Sequence, residues 1–206
     1  MTLAGSFGFY DRLYIHFFYR LRSWKYDLPE NKAGWRSRRN QELRFQALMA
    51  IGDLQNKSIL DLGCGLGCLY GYLKGTGWKG EYTGFDILDF MVKGARARFP
   101  GARFEQRDIL KDPPREKWDY VFVNGVFNHK IKDNWAWIGR MVGQAFSCTR
   151  EGMAFTMLNR ETGWPDEGLF YTTPRELEEK IKRWSPGKYK IAMGYLPEDM
   201  AAYLYH

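Results

Sequence analysis

The chain has 206 residues, 45% hydrophobic and 17% aromatic, which is enough for one sizeable core and too apolar for a disordered chain. No apolar run reaches the roughly eighteen residues of a membrane-spanning helix, and no cleavable leader is read, so a soluble, cytoplasmic protein without a membrane partner is expected. The net charge of +7 admits RNA, an anionic surface or an anionic small substrate, but a surplus of this size is usually a solvated surface. Cys64, Cys68 and Cys148 form no paired CxxC knuckle, and His16, His129 and His206 are the only imidazoles. Disulfide scaffolds and zinc sites are therefore disfavoured.

In chain order, residues 1–50 read as a helical extension. Phe7, Phe9, Tyr10, Tyr14, Phe17, Phe18 and Leu21 recur at helical spacing until Leu28-Pro29-Glu30 breaks the pattern. Core packing explains this stripe better than substrate stacking. A second helix is predicted from about Ser37 to Ile51, with Leu43, Ala47, Leu48 and Ile51 on one face and Arg36, Arg38, Arg39 and Arg44 on or beside the other.

The stretch from Ser58 to Leu69 then passes from a short apolar strand ending in an acid, through Gly63, Gly65 and Gly67, into a helix. Glycines are needed where φ is positive or where a ligand lies against bare main chain, and a helix start adds free N–H groups. A dinucleotide turn places its third glycine one residue later. Here Asp61 also stands two residues ahead of Gly63, where it would repel a pyrophosphate but suit a cation. The segment resembles motif I of the class I S-adenosylmethionine (SAM) dependent methyltransferases.

Further motifs of that family follow in order. Glu81 to Ile87 is a second strand ending in Asp86, the position at which the family's acid holds the adenosyl ribose. Met91 to Phe99 reads as a basic helix. Ala102 to Leu110 reads as a third strand, and Asp108 and Ile109 take the place of the residues that hold adenine. Trp118 to His129 resembles motif IV, a buried strand followed by Asn124-Gly125-Val126-Phe127. That tip lacks the D/N-P-P-Y/W signature of DNA-amine methylation and the acid of a Mg²⁺-dependent enzyme, so no metal site is expected. Asn134 to Phe146 is read as a helix, Met153 to Leu158 as a fifth strand, 159–168 as a polar loop, and Thr173-Pro174 as the start of a last helix. Lys188 to Met193 and Met200 to Tyr205 close as an antiparallel hairpin.

The resemblance implies a doubly wound, seven-stranded, mostly parallel α/β sheet over 51–206, with 1–50 as a lid. Its cofactor is SAM, with S-adenosylhomocysteine as product. The expected cofactor contacts are Asp61, Gly63, Cys64, Gly65, Asp86, Ile87, Asp108, Ile109, Asn124 and Gly125. The run from Gly34 to Phe45 resembles the segment before motif I in small bacterial methyltransferases, so Arg44 is expected either on the cofactor carboxylate or as an ordinary exposed helix arginine. His129 and Asn128 are the catalytic candidates, and Tyr10, Tyr14, His16 and Trp35 the substrate-pocket candidates. A small-molecule acceptor is the leading expectation, with an anionic one left open. RNA or protein methylation comes second, and a non-catalytic scaffold third. Oligomeric state is open.

Overall fold

The computed structural model describes residues 7–161, 166–184 and 187–206. Its strands are β1 (Ile59–Leu62), β2 (Tyr82–Asp86), β3 (Arg103–Gln106), β4 (Trp118–Val123), β5 (Thr149–Asn159), β6 (Tyr171–Thr172), β7 (Lys188–Met193) and β8 (Asp199–Tyr205). They form one sheet in the order β3-β2-β1-β4-β5-β8-β7, with β6 beside the end of β5. Only β8 is antiparallel to its neighbours. The expected doubly wound sheet is present, and two-residue β6 is added to it from the stretch read as loop and helix lead-in.

The helices are α1 (Phe9–Lys25), α2 (Pro29–Lys32), α3 (Arg38–Met49), α4 (Cys68–Gly75), α5 (Asp89–Arg98), α6 (Asn134–Ser147) and α7 (Pro174–Trp184). Alternate strand residues point to opposite faces, and each face has its own helical layer. Leu60, Leu62, Val121, Val123 and Phe155 pack on Trp137, Ile138 and Met141 of α6 and Leu177 and Ile181 of α7. Ile59, Tyr120, Phe122 and Ala154 pack on Phe45 and Leu48 of α3, Leu69 and Leu73 of α4, and Val92 and Ala95 of α5. Because both faces are covered, β1 and β4 read as continuous apolar runs rather than alternating ones.

Local chemistry sets the helix ends. The Ser37 hydroxyl accepts from Asn40 N–H at 3.2 Å and starts α3. Thr173 and Glu176 cap each other's backbone N–H groups at 3.1 and 3.2 Å, with Pro174 at the first position of α7.

The N-terminal extension divides in two. α3 belongs to the core, where Tyr203 Oη donates to the Ala47 carbonyl at 2.6 Å. α1 instead lies over the loops that follow β2, β3 and β4: Ile15 packs with Leu88 and Met91, and Arg12 pairs with Asp108. Pro29 breaks the first helix, as its sequence indicates, but then opens the short α2.

Candidate active site

The β1–α4 turn is held in shape by β2. Gly63 N–H and Cys64 N–H both donate to the Phe85 carbonyl, at 2.8 and 3.0 Å, and Gly65 N–H donates to Asp86 Oδ2 at 2.9 Å. Gly63, Gly65 and Gly67 take φ values of 78°, 52° and 73°, in the region that favours glycine. A Cβ on Gly63 would stand 2.3 Å from Val126, whereas one on Gly65 would meet nothing within 4 Å. Gly65 therefore leaves open space over bare main chain.

Two buried acids flank this turn. Asp86 Oδ1 accepts from Leu88 N–H at 2.9 Å, so each of its oxygens holds one backbone donor and keeps acceptor capacity. Burial raises its pKa, opposed by those backbone bonds. Asp61 takes the Tyr82 hydroxyl at 2.6 Å, yet burial pushes its carboxyl up to about 7. Beside them, burial raises the Cys64 thiol well above its ordinary range, which leaves it an unreactive wall.

These groups border a cavity of about 220 Å³, together with Ile87, Asp108, Ile109, Asn124, Gly125, Asn128, His129 and Trp35. Asp108 lies in the turn after β3 rather than on it, where Arg12 of α1 holds it at 2.5 Å. Arg107, the only Lys or Arg among the described lining residues, is paired with Glu105 and Asp112. Asn124 Oδ1 accepts from Thr156 Oγ1 at 3.2 Å, and Thr156 in turn accepts from Gly125 N–H at 3.0 Å. Thr156 reads in the sequence as an ordinary strand residue.

His129 sits at the end of the β4 loop beneath α1. Its Nε2 lies 3.2 Å from Tyr19 Oη, while Nδ1 is buried without a partner. Tyr14, Phe18 and Tyr19 surround the ring edge-on at 4.6 to 5.8 Å. This desolvation, with the positive charge of Arg22, lowers its pKa to about 4. Asn128 Oδ1 is a second buried acceptor with no partner. Buried polar atoms are nearly always paired, so two orphans in one cavity mark a place where a ligand completes the bonding.

Four expected residues stand elsewhere. Arg44 is buried in a two-pronged pair with Asp199, with Nε 3.1 Å from Oδ1, and it stacks 4.6 Å from the Trp35 ring. A buried aspartate needs a cation, and Asp199, pushed up to about 6 by burial against the pull of Arg44, holds this one. Arg44 thus acts on the cavity only by supporting Trp35. Tyr10 and His16 point to solvent, and Tyr14 touches His129 from outside the cavity. Helical rotation turns Ile15, Phe18 and Tyr19 inward instead, joined by Phe7, Trp137, Met141 and Leu169. α1 is aromatic nearly all round, so periodicity alone did not reveal its inner face. Among the described residues, no three His, Cys, Asp or Glu side chains stand close enough to hold a metal ion.

A sequence family described as a methyltransferase domain matches residues 53–192. The chain belongs to this methyltransferase family. Motif order and sheet topology place the enzyme in the SAM-dependent class I. It is 34% identical over 135 residues to Rv1506c of Mycobacterium tuberculosis, a protein named provisionally as a methyltransferase; the match covers 61% of this chain and 79% of that one. A shorter stretch is 37% identical to trans-aconitate 2-methyltransferase of Rhizobium rhizogenes, covering 33% of this chain and 27% of that enzyme. In fold, the methyltransferase resembles magnesium protoporphyrin IX methyltransferase from Synechocystis PCC 6803 with bound S-adenosylhomocysteine. The TM-score is 0.70 at 14% identity, over 95% of this chain and 99% of that one.

Proposed function

We propose that this methyltransferase binds SAM across the β1–α4 turn and methylates a small, uncharged acceptor bearing a protic oxygen or nitrogen. The observation that carries the acceptor class is the pair of orphaned buried acceptors, Asn128 Oδ1 and His129 Nδ1, in a cavity with apolar walls and no unpaired Lys or Arg among its described residues. Such a cavity offers a hydroxyl or N–H two places to donate, and a carboxylate no counter-charge. The acceptors in the names of one relative and one fold neighbour are also small molecules, trans-aconitate being a carboxylate rather than an uncharged one.

The residues fit the cofactor. Asp86 has acceptor capacity for the ribose hydroxyls, and Ile87, Leu88 and Ile109 offer apolar contact to a base. Gly65 leaves main chain bare for close approach. Asp61 is held near its titration point, and a cation beside it would favour the ionised form. When bound, SAM supplies a methyl group activated by positive sulfur, open to in-line displacement.

The chain's own contribution is alignment, exclusion of water and acceptance of one proton. Asn128 Oδ1 would accept from a second O–H or N–H of the acceptor and so orient it, which leaves the reacting X–H to His129. With Nε2–H donating to Tyr19 Oη, His129 presents the bare Nδ1 lone pair. A base of pKa about 4 does not ionise a hydroxyl beforehand; His129 Nδ1 would take the proton from the acceptor's X–H in concert with the methyl transfer that SAM would supply. The imidazolium then loses that proton to solvent. No metal is assigned a step, because the tip of β4 carries Asn124-Gly125 rather than an acid. α1, with Ile15, Phe18 and Tyr19, walls one side of the cavity and shields it in part from water.

Methyl-labelled SAM incubated with panels of phenols and apolar alcohols, carboxylic acids, and RNA tests this reading. Label in the uncharged hydroxyl panel is expected. Label in RNA or in carboxylic acids alone would overturn the acceptor class.

A further inference from the structure

Helix α1 faces solvent with its apolar side. Phe9, Tyr10, Leu13, Phe17, Leu21 and Trp24 are all exposed, Phe9 to 71%, Tyr10 to 82% and Trp24 to 73%. At about 100° per residue they share one sector roughly 120° wide, a stripe that an amphipathic helix normally buries. Contiguous apolar patches of this kind mark a docking surface. Arg20 lies inside the sector near its Phe9 edge, over the Trp24 and Phe90 rings at 5.6 and 5.1 Å, and Lys25 stands beyond its Leu21 edge. The sector holds no acid: Asp11 is turned inward, bonded to Gly8 N–H and Lys132 N–H, and Asp27 lies beyond the helix end.

We propose that α1 is an interfacial anchor that lays this aromatic face into an anionic lipid surface, with Arg20 and Lys25 reaching the headgroups. The argument is charge complementarity around an apolar stripe. A face that carries Arg20, has Lys25 beside it and holds no acid of its own, on a chain of net charge +7, would repel a second copy of itself and is attracted to anionic lipid. Long cationic side chains at the edges of the stripe can keep their stems on the aromatics and their charge at headgroup level. At 17 residues the helix is about 25 Å long, and no helix among the described residues is long and apolar enough to cross a membrane, so α1 lies in the plane of the surface. The sequence reading expected no membrane partner; a peripheral one follows from which face of α1 is turned outward. The inner face of the same helix supplies Ile15, Phe18 and Tyr19 to the cavity wall, so docking would hold that wall against the surface. The docking itself does not depend on the reaction proposed above.

The test is co-sedimentation of the full chain with vesicles of phosphatidylcholine alone and of phosphatidylcholine mixed with phosphatidylglycerol. Wild type is compared with Phe17→Glu, Trp24→Glu and the remote control Met193→Glu, an exposed apolar residue on β7. Thermal unfolding and S-adenosylhomocysteine titration show that each variant is folded. The expected result is salt-sensitive binding to the anionic vesicles and weaker binding to the neutral ones. Phe17→Glu and Trp24→Glu should each weaken partition by about tenfold or more, and Met193→Glu should leave it unchanged. The proposal is overturned if wild type ignores the anionic vesicles, binds both kinds equally, or binds no better than the two α1 variants. It is equally overturned if wild type is a dimer that Trp24→Glu dissociates and vesicles do not displace.

Discussion

Tyr19 Oη stands 3.2 Å from His129 Nε2 and joins the covering helix α1 to the loop after β4. The contact fixes one edge of the imidazole and leaves Nδ1 as its unpaired edge. The aromatic packing that makes the contact also removes water from the ring, which is why the pKa falls to about 4.

A pH profile follows from that shift. The folded pKa of His129 lies below the ordinary 6.5, so its contribution to stability is complete above pH 6.5 and is lost as pH falls toward 4. Urea unfolding should show wild type losing more stability than His129→Gln over that interval. In the same account kcat stays level through pH 6.5 and falls only near 4. An acid limb at 6.5 would mean that the imidazole is solvated in the working enzyme.

His129→Gln should lower kcat about 10²-fold while leaving S-adenosylhomocysteine affinity nearly unchanged, because the side chain serves the acceptor rather than the cofactor. Tyr19→Phe should lower kcat less and lower the pH of the acid limb, since the imidazolium then loses the acceptor of its Nε2–H. Equal losses of kcat and product affinity in His129→Gln would place the residue in the cofactor half of the site.

Arg44 and Asp199 predict a stability effect. Arg44→Ala leaves Asp199 buried without its partner and should cost about 3–5 kcal/mol, whereas Arg44→Met with Asp199→Leu should recover most of that. S-adenosylhomocysteine affinity, measured below the unfolding transition, should change little in the double variant. A large loss there would return Arg44 to the cofactor site.

The two glycines of the β1 turn should separate stability from binding. Gly63→Ala puts a Cβ 2.3 Å from Val126 at φ 78° and should cost about 1–3 kcal/mol in thermal unfolding. Gly65→Ala at φ 52° costs about 1 kcal/mol in backbone strain but has open space around it, so its larger effect should be on product affinity, where the added methyl meets the ligand. The reverse ordering would show that the ligand does not cross Gly65.

Asp61 predicts proton release. Its pKa of about 7 means that it is largely protonated below neutrality, and a cation bound beside it would displace that proton. SAM affinity should therefore rise with pH up to about 7. Calorimetry at pH 6 in buffers of different ionisation heat should detect the released proton. The ligand-free protein runs the opposite way: the raised carboxylate pKa makes it lose stability as pH rises through 7.

The glycine turn and the strand-tip acids that border the cavity were legible because they are local signals, each tied to a backbone requirement. Asp61, Gly63, Gly65, Asp86 and Gly125 needed only the chain's own order to be found. Of the cavity's walls beyond the expected cofactor contacts, only Asn128, His129 and Trp35 were legible. Ile15, Phe18 and Tyr19 differ from Tyr10, Tyr14 and His16 only by rotation about α1, and both sets are aromatic or apolar. Arg44 was misplaced because its partner, Asp199, lies 155 residues away in sequence, and no local pattern announces a buried pair. Thr156 was hidden in the same way, since its role depends on the neighbouring strand β4.

Calorimetric titration with S-adenosylhomocysteine, with NAD run alongside, on wild type and Asp86→Ala tests the central claim most directly. The account predicts micromolar binding of S-adenosylhomocysteine by wild type, its loss in a folded Asp86→Ala, and no binding of NAD. Failure of wild type to bind S-adenosylhomocysteine, or unchanged affinity in Asp86→Ala, would contradict it.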